Sequence, residues 1–307
     1  MADRSRTIIT LSLIFLLLRA VVPATSHGAQ PQPSRSATLA QPTTLANLEA
    51  QLRAKAKALE DSTGMRLAFQ TFLSAHKLSP NSINYSDFVL IRLLFEATRD
   101  AGFWNLHWAI TDQPPNSDRI WQQWKAIHRP SVLTPTATAE CDELSALYAF
   151  LVERAGVRSV GLLWPYANHT VAVWMVHPAN GAPIRVVVPT TQIFLDERDF
   201  FDTPKFNPWR QKNIYEYTRR DVPDSFDLPK PLFDFFLSQV DKYAGASDAT
   251  LQQLRYLRET VLLRQWTPEQ AAHEALNKRA ALASPSAEDL AAFQAFALDM
   301  RTEPPTF

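Results

Sequence analysis

The sequence predicts an α+β fold, and three observations carry that prediction. Apolar residues recur at helical spacing between Leu45 and Ile127 and again from Pro231 to Met300. Between these blocks lie three β-rich runs, Val157–Trp164, Thr170–His177 and Ile184–Val188. The tetrad Pro178-Ala179-Asn180-Gly181 is a turn signal that joins the last two runs as an antiparallel hairpin. Helices, then strands, then helices in separate blocks argue for α+β rather than for a doubly wound sheet, in which the two alternate.

Taken in order, the chain opens with Arg4 and Arg6 before an apolar run from Ile8 to Leu18, then small residues around Ala24-Thr25-Ser26. That run is shorter than the roughly 20 residues a spanning helix needs. Residues 1–26 therefore read as a secretory signal peptide, and the protein is expected to be secreted or periplasmic, with no membrane attachment once the leader is cleaved. Residues 27–44 are Pro, Gln, Ser, Thr and Ala with little to bury, a flexible linker. A domain is expected over 45–229 and a helical C-terminal region over 230–307.

Leu45 to Leu78 reads as one or two amphipathic helices broken near Gly64. Tyr85 to Arg99 is a stronger helix, with Ser86-Asp87 as its cap and Phe88, Ile91, Leu94 and Phe95 as its buried stripe. Ile120 to Ile127 is a short helix containing Trp121 and Trp124. Beyond the strands, Phe194 to Pro229 is aromatic and proline-rich and is expected to wrap the core as irregular structure. Thr267-Pro268-Glu269-Gln270 is a helix start with a cap and an N-terminal proline.

With 31 basic and 31 acidic residues the formal net charge is zero, so the basic excess of a nucleic-acid binder is missing. No His-x-x-x-His, Cys-x-x-Cys or carboxylate cluster with ligand spacing occurs, and neither a metal nor another cofactor is expected. The chemistry-bearing feature is the single cysteine. Cys141 opens an apolar-periodic segment (Leu144, Leu147, Tyr148, Leu151, Val152) that Gly156 stops. At a helix start, unpaired N–H groups and the positive dipole end favour the thiolate, whereas the acidic flanks Glu140 and Asp142 oppose it. His169 follows 28 positions on, at the start of a β-rich run. Cysteine on a helix and histidine on a strand is the layout of a Cys–His nucleophilic site.

Cys141, the helix to Ala155, the Gly156-Val157-Arg158 turn, His169 and the Trp174 strand resemble, in that order, the core of the transglutaminase-like superfamily. The resemblance covers residues 136–191. It implies a papain-like transglutaminase core, with the Cys helix packed on an antiparallel sheet that carries the His, and additional N- and C-terminal helices around it. It further implies Cys141 as nucleophile and His169 as general base, acting on a carbonyl of a protein or peptide through an acyl-enzyme. The chain departs from the pattern where the family's strand ends Asp-Pro-Thr: here it reads Val188-Pro189-Thr190.

A replacement for the missing acid can be sought by register. If Pro178 to Gly181 make the turn, paired positions sum to 359, and His169 lies opposite Thr190. The Thr190 hydroxyl is then the group expected to orient the imidazole, with Gln192 and Asp196 further along. The oxyanion hole would use the Cys141 N–H and a second donor, for which Trp104, Trp108 and Gln122 are candidates. Two readings follow: an exported cysteine peptidase or amide hydrolase, or a catalytically weak or inactive member that binds protein or peptide. Val188 favours the second.

Overall fold

The chain divides into two units, Met1–Leu39 and Ala40–Phe307. The computed structural model describes residues 43–111, 113–166, 169–179, 181–191, 201–204, 206 and 214–264, all within the second unit. The leader, nearly all of the linker, Gln192, Asp196 and the Thr267–Gln270 helix start lie outside the described residues.

The elements run β1 (Thr43–Thr44), α1 (Leu45–Leu59), α2 (Thr63–Ala75), α3 (Tyr85–Thr98), β2 (Leu106–Trp108), α4 (Arg119–Lys125), β3 (Ala137–Ala139) and α5 (Cys141–Arg154). There follow β4 (Val160–Tyr166), β5 (His169–Val176), β6 (Ile184–Val188), β7 (Tyr215–Glu216), β8 (Asp227–Leu228), α6 (Lys230–Tyr243) and α7 (Asp248–Arg264). The fold is thus α+β, with α1 to α5 before and α6 and α7 after the strands β4 to β7.

Local chemistry sets the helix starts. Thr44 caps α1 by accepting from the Asn47 N–H, and Ser62 caps α2 by accepting from Met65. The break between them falls at Ser62, and Gly64 lies inside α2. Asn84 rather than Ser86 or Asp87 caps α3, its side chain accepting from the Ser86 N–H at 2.9 Å. Gly156 ends α5 with φ +83°, a left-handed conformation that glycine adopts without a Cβ penalty.

The main sheet is antiparallel in the order β6-β5-β4-β7. Alternation along β5 gives it two faces. Ala172, Trp174 and Val176 point with Val186 and Val188 of β6 into the large core, while Val171, Val173 and Met175 join Leu163, Val187, Phe206 and Ile214 in a second cluster. Helix α5 covers the first face. All twelve residues from Cys141 to Val152 are buried, because α3 and α4 pack on α5 along with the sheet strands β4 and β5. The single apolar stripe of the sequence therefore understates this helix, which is enclosed on every side as a central core helix is. Each of its fully buried leucines (Leu144, Leu147, Leu151) contributes roughly 1.5–3 kcal/mol of transfer free energy.

Helix α6 belongs to the same core. Phe236 stacks on Trp104 with centroids 4.4 Å apart and meets Trp124 edge-on at 4.9 Å. Two predicted features need correction. The hairpin pairs Ala172 with Val188 and Val173 with Val187, so paired positions sum to 360, one more than the turn at Pro178–Gly181 required. Between Phe194 and Pro229 the described residues also form the two-residue strands β7 and β8, of which β8 pairs with β1 and ties the domain's start to its later part.

Candidate functional site

Cys141 is the first residue of α5, as the sequence predicts, and β3 delivers the chain to it. The N-terminus of α5 is fastened by acids. Glu143 Oε2 accepts from the Glu140 N–H at 2.6 Å, and its Oε1 accepts from the Asn116 N–H at 3.1 Å and meets Arg119 Nη1 at 3.0 Å. Glu140 Oε1 accepts from both the N–H and the hydroxyl of Thr111, each at 2.7 Å. Asp142 Oδ1 accepts from the Glu143 N–H at 3.0 Å, and Asp142 Oδ2 is buried with no hydrogen-bond partner among the described residues.

This setting acts on the thiol. Cys141 is 4% exposed. Burial pushes its pKa well above the ordinary 9.0, and the neighbouring Asp142, then Glu140 and Glu143, push the same way. One influence opposes them: the Thr170 N–H donates to Cys141 Sγ at 3.4 Å. The Asp142 carboxyl is itself raised well above its ordinary 3.8, by burial first and then by Glu143 and Glu140. The positive end of the α5 dipole faces the sulfur, but a half-charge at a helix end cannot outweigh full desolvation and acids on both flanks.

His169 begins β5, on the strand where the sequence places it, and is buried. Its odd position puts it on the face of Val171 and Val173, and its ring packs on Phe206 with centroids 5.4 Å apart. Among the described residues, the hydrogen bond made by the sulfur comes from the Thr170 amide and not from an imidazole. The two residues are nonetheless close along the backbone. Two covalent bonds separate Thr170 N from His169 Cα, which puts that Cα within about 6 Å of the sulfur.

Thr190 does not face His169. The observed register sets it opposite Thr170, and its hydroxyl lies 2.8 Å from Ser145 Oγ, which also reaches the Thr170 carbonyl at 3.3 Å. The expectation that Thr190 orients the imidazole is corrected on this point: with pairing one residue further along, Thr190 points at α5. The structure thus gathers Cys141, Ser145, Thr170 and Thr190 between the helix and the sheet. The sequence reading missed Ser145 and Thr170. The helical spacing of Cys141 and Ser145, and the parity of Thr170 with Ala172 and Trp174, were the available signals.

Of the candidate oxyanion donors, Trp104 is spent in the core against Phe236, and Gln122 is exposed. Trp108 lies in β2, its own N–H donating to Asp100 Oδ1 at 2.8 Å. No group of three metal-ligating side chains occurs among the described residues. Val188, where the resemblance would put an acid, is fully buried in the large core. Compared with family models, curated proteins and solved structures, the chain matches none of them.

Proposed function

We propose that this protein is a transglutaminase-like domain that keeps the cysteine-helix-on-sheet frame, has lost catalytic coupling at Cys141, and serves to bind a protein or peptide. The observation that carries the reading is the state of the thiol. A nucleophile has to be a thiolate near neutral pH and has to be reachable. Cys141 is buried, has acids on both sides and accepts its hydrogen bond from the Thr170 amide, so it rests as a neutral thiol. With the leader of residues 1–26 the reading is of an exported protein.

The experiment is alkylation of Cys141 against pH for the native chain and for His169→Ala. Slow alkylation at neutral pH, unchanged by the substitution, is the result expected. A fast, histidine-dependent reaction at neutral pH would return the protein to the enzymatic reading.

That second reading has one observation in its favour. Cys141 occupies the first helical position, and its sulfur contacts the peptide unit that begins at His169. In that reading a turn of the His169 side chain away from Phe206 brings the imidazole to the thiol, whose proton it takes. The thiolate attacks an amide carbonyl of a peptide, the C–N bond breaks as the imidazolium protonates the departing amine, and water hydrolyses the acyl-enzyme.

A further inference from the structure

A cavity of about 610 Å³ opens between α2, α3 and the connection from α6 to α7, within the size range of small-ligand pockets. Its walls are apolar, formed by Met65, Ala68, Phe72, Phe88, Phe103 and Leu251. Four charged side chains also line it: Arg92, Glu96, Asp202 and Asp248. None of these residues belongs to the Cys141 site, so the inference is independent of the function proposed above.

The charges are not equivalent. Glu96 lies 3.3 Å from Arg255 and 3.8 Å from Arg99, and Asp202 lies 2.6 Å from His76. Glu96 is thus paired with two arginines, and Asp202 is already engaged by the His76 ring. Asp248 is 95% exposed and sits 3.7 Å from Arg92, a contact that solvent screens to little net energy. Arg92 is the group left with capacity. Its guanidinium is held at 5.1 Å over the Phe201 ring, and its Nε–H is buried with no acceptor among the described residues. A planar guanidinium in this state is matched by a carboxylate, which accepts two of its N–H groups at once.

We propose that this cavity binds an alkyl carboxylate, the chain lying among Met65, Phe72, Phe88 and Leu251 and the carboxylate displacing Asp248 from Arg92. Binding is non-covalent: the anion exchanges one exposed ion pair for a partly buried one, and the chain removes apolar surface from water.

The test is calorimetric titration of the full chain with decanoate, decan-1-ol and decylammonium, each kept below its aggregation concentration. Decanoate should saturate a single site and bind about tenfold or more tightly than the alcohol, with the ammonium weakest. Arg92→Gln should remove that advantage and leave the alcohol's affinity within about twofold. Ala68→Phe, which fills the cavity without touching a charge, should abolish binding of all three and decides the matter should Arg92→Gln fail to fold. Equal binding of the three amphiphiles, no saturable decanoate binding to the native chain, or undiminished decanoate binding in Ala68→Phe would each overturn the proposal.

Discussion

The backbone N–H of Thr170 donates to Cys141 Sγ at 3.4 Å, so the strand meets the thiol with an amide. An amide donor stabilises a thiolate, but far less than an imidazolium does, and here burial and Asp142 act against it. The even-numbered face of β5 carries Thr170, Ala172 and Trp174 toward α5, and His169 belongs to the other face.

The thiol state fixes a stability profile. The folded pKa of Cys141 lies above its unfolded value, so the unfolded chain releases this proton first as the pH rises. Its contribution is fully present below the unfolded thiol's range and is lost progressively above about pH 8.5. Unfolding free energies from urea titrations at pH 7 to 10 should therefore fall more steeply for the native protein than for Cys141→Ala. Parallel curves would show that the thiol is not perturbed. At pH 7 the folded thiol should also alkylate at least about tenfold more slowly than in the urea-unfolded chain.

A second expectation concerns the hydroxyls between helix and sheet. Ser145 Oγ bridges the Thr170 carbonyl and the Thr190 hydroxyl, and all three residues are fully buried. Ser145→Ala should cost about 1–2 kcal/mol, because it strips a buried hydroxyl of its partner. Thr190→Val should cost a similar amount. In the double variant the loss should be smaller than the sum by about 0.5 kcal/mol or more, since no hydroxyl is left stranded. Strict additivity in a urea-denaturation cycle would show that the two do not act as a unit.

The sequence made the frame readable and left the side-chain directions obscure. Cys141, Gly156 and the β6 range were found where periodicity and helix-end chemistry put them, because those signals are local. The site depended on register, which is not local. Counting the turn as Pro178–Gly181 gave pairing one residue short, and a one-residue slip turns every side chain to the opposite face. Thr190 was thereby assigned to His169 when it belongs with Ser145 and Thr170. The enclosure of α5 was hidden for a different reason. Asp142, Glu143 and Ser145 look like a solvent face in sequence, and only the packing of α3, α4 and the sheet shows that they are buried.

Val188 is fully buried in the large core, so placing an acid there is a core disruption. Val188→Asp places a carboxylate beside Ala172 and Val186 in the large apolar core. A loss of about 3 kcal/mol or more in unfolding free energy is expected, against about 1–2 kcal/mol for Val188→Thr, which adds one hydroxyl. Thermal or urea midpoints for both variants check this ordering. A Val188→Asp protein as stable as the native one would mean that the aspartate has found a partner within the core.

The last expectation lies away from the thiol, at Asp221. This carboxyl meets the Tyr217 hydroxyl, in the segment that leads from β7 to the buried Val222 and Phe226. Burial lifts its pKa to about 7, although the Tyr217 hydrogen bond and the charge of Arg219 draw it down. An acid whose folded pKa is raised keeps its proton when the unfolded chain has lost it. Its contribution is therefore present below the unfolded value of 3.8 and is lost as the pH climbs to about 7. Solvent reaches the half-buried side chain, so the effect is on the order of 1–2 kcal/mol. Asp221→Asn cannot ionise and keeps an oxygen to accept from Tyr217. Unfolding free energies at pH 4 to 8 should show the native protein losing ground to Asp221→Asn across that interval, with the gap constant above about pH 8. A gap that does not change with pH would mean that Asp221 ionises in the folded protein as it does in the unfolded chain.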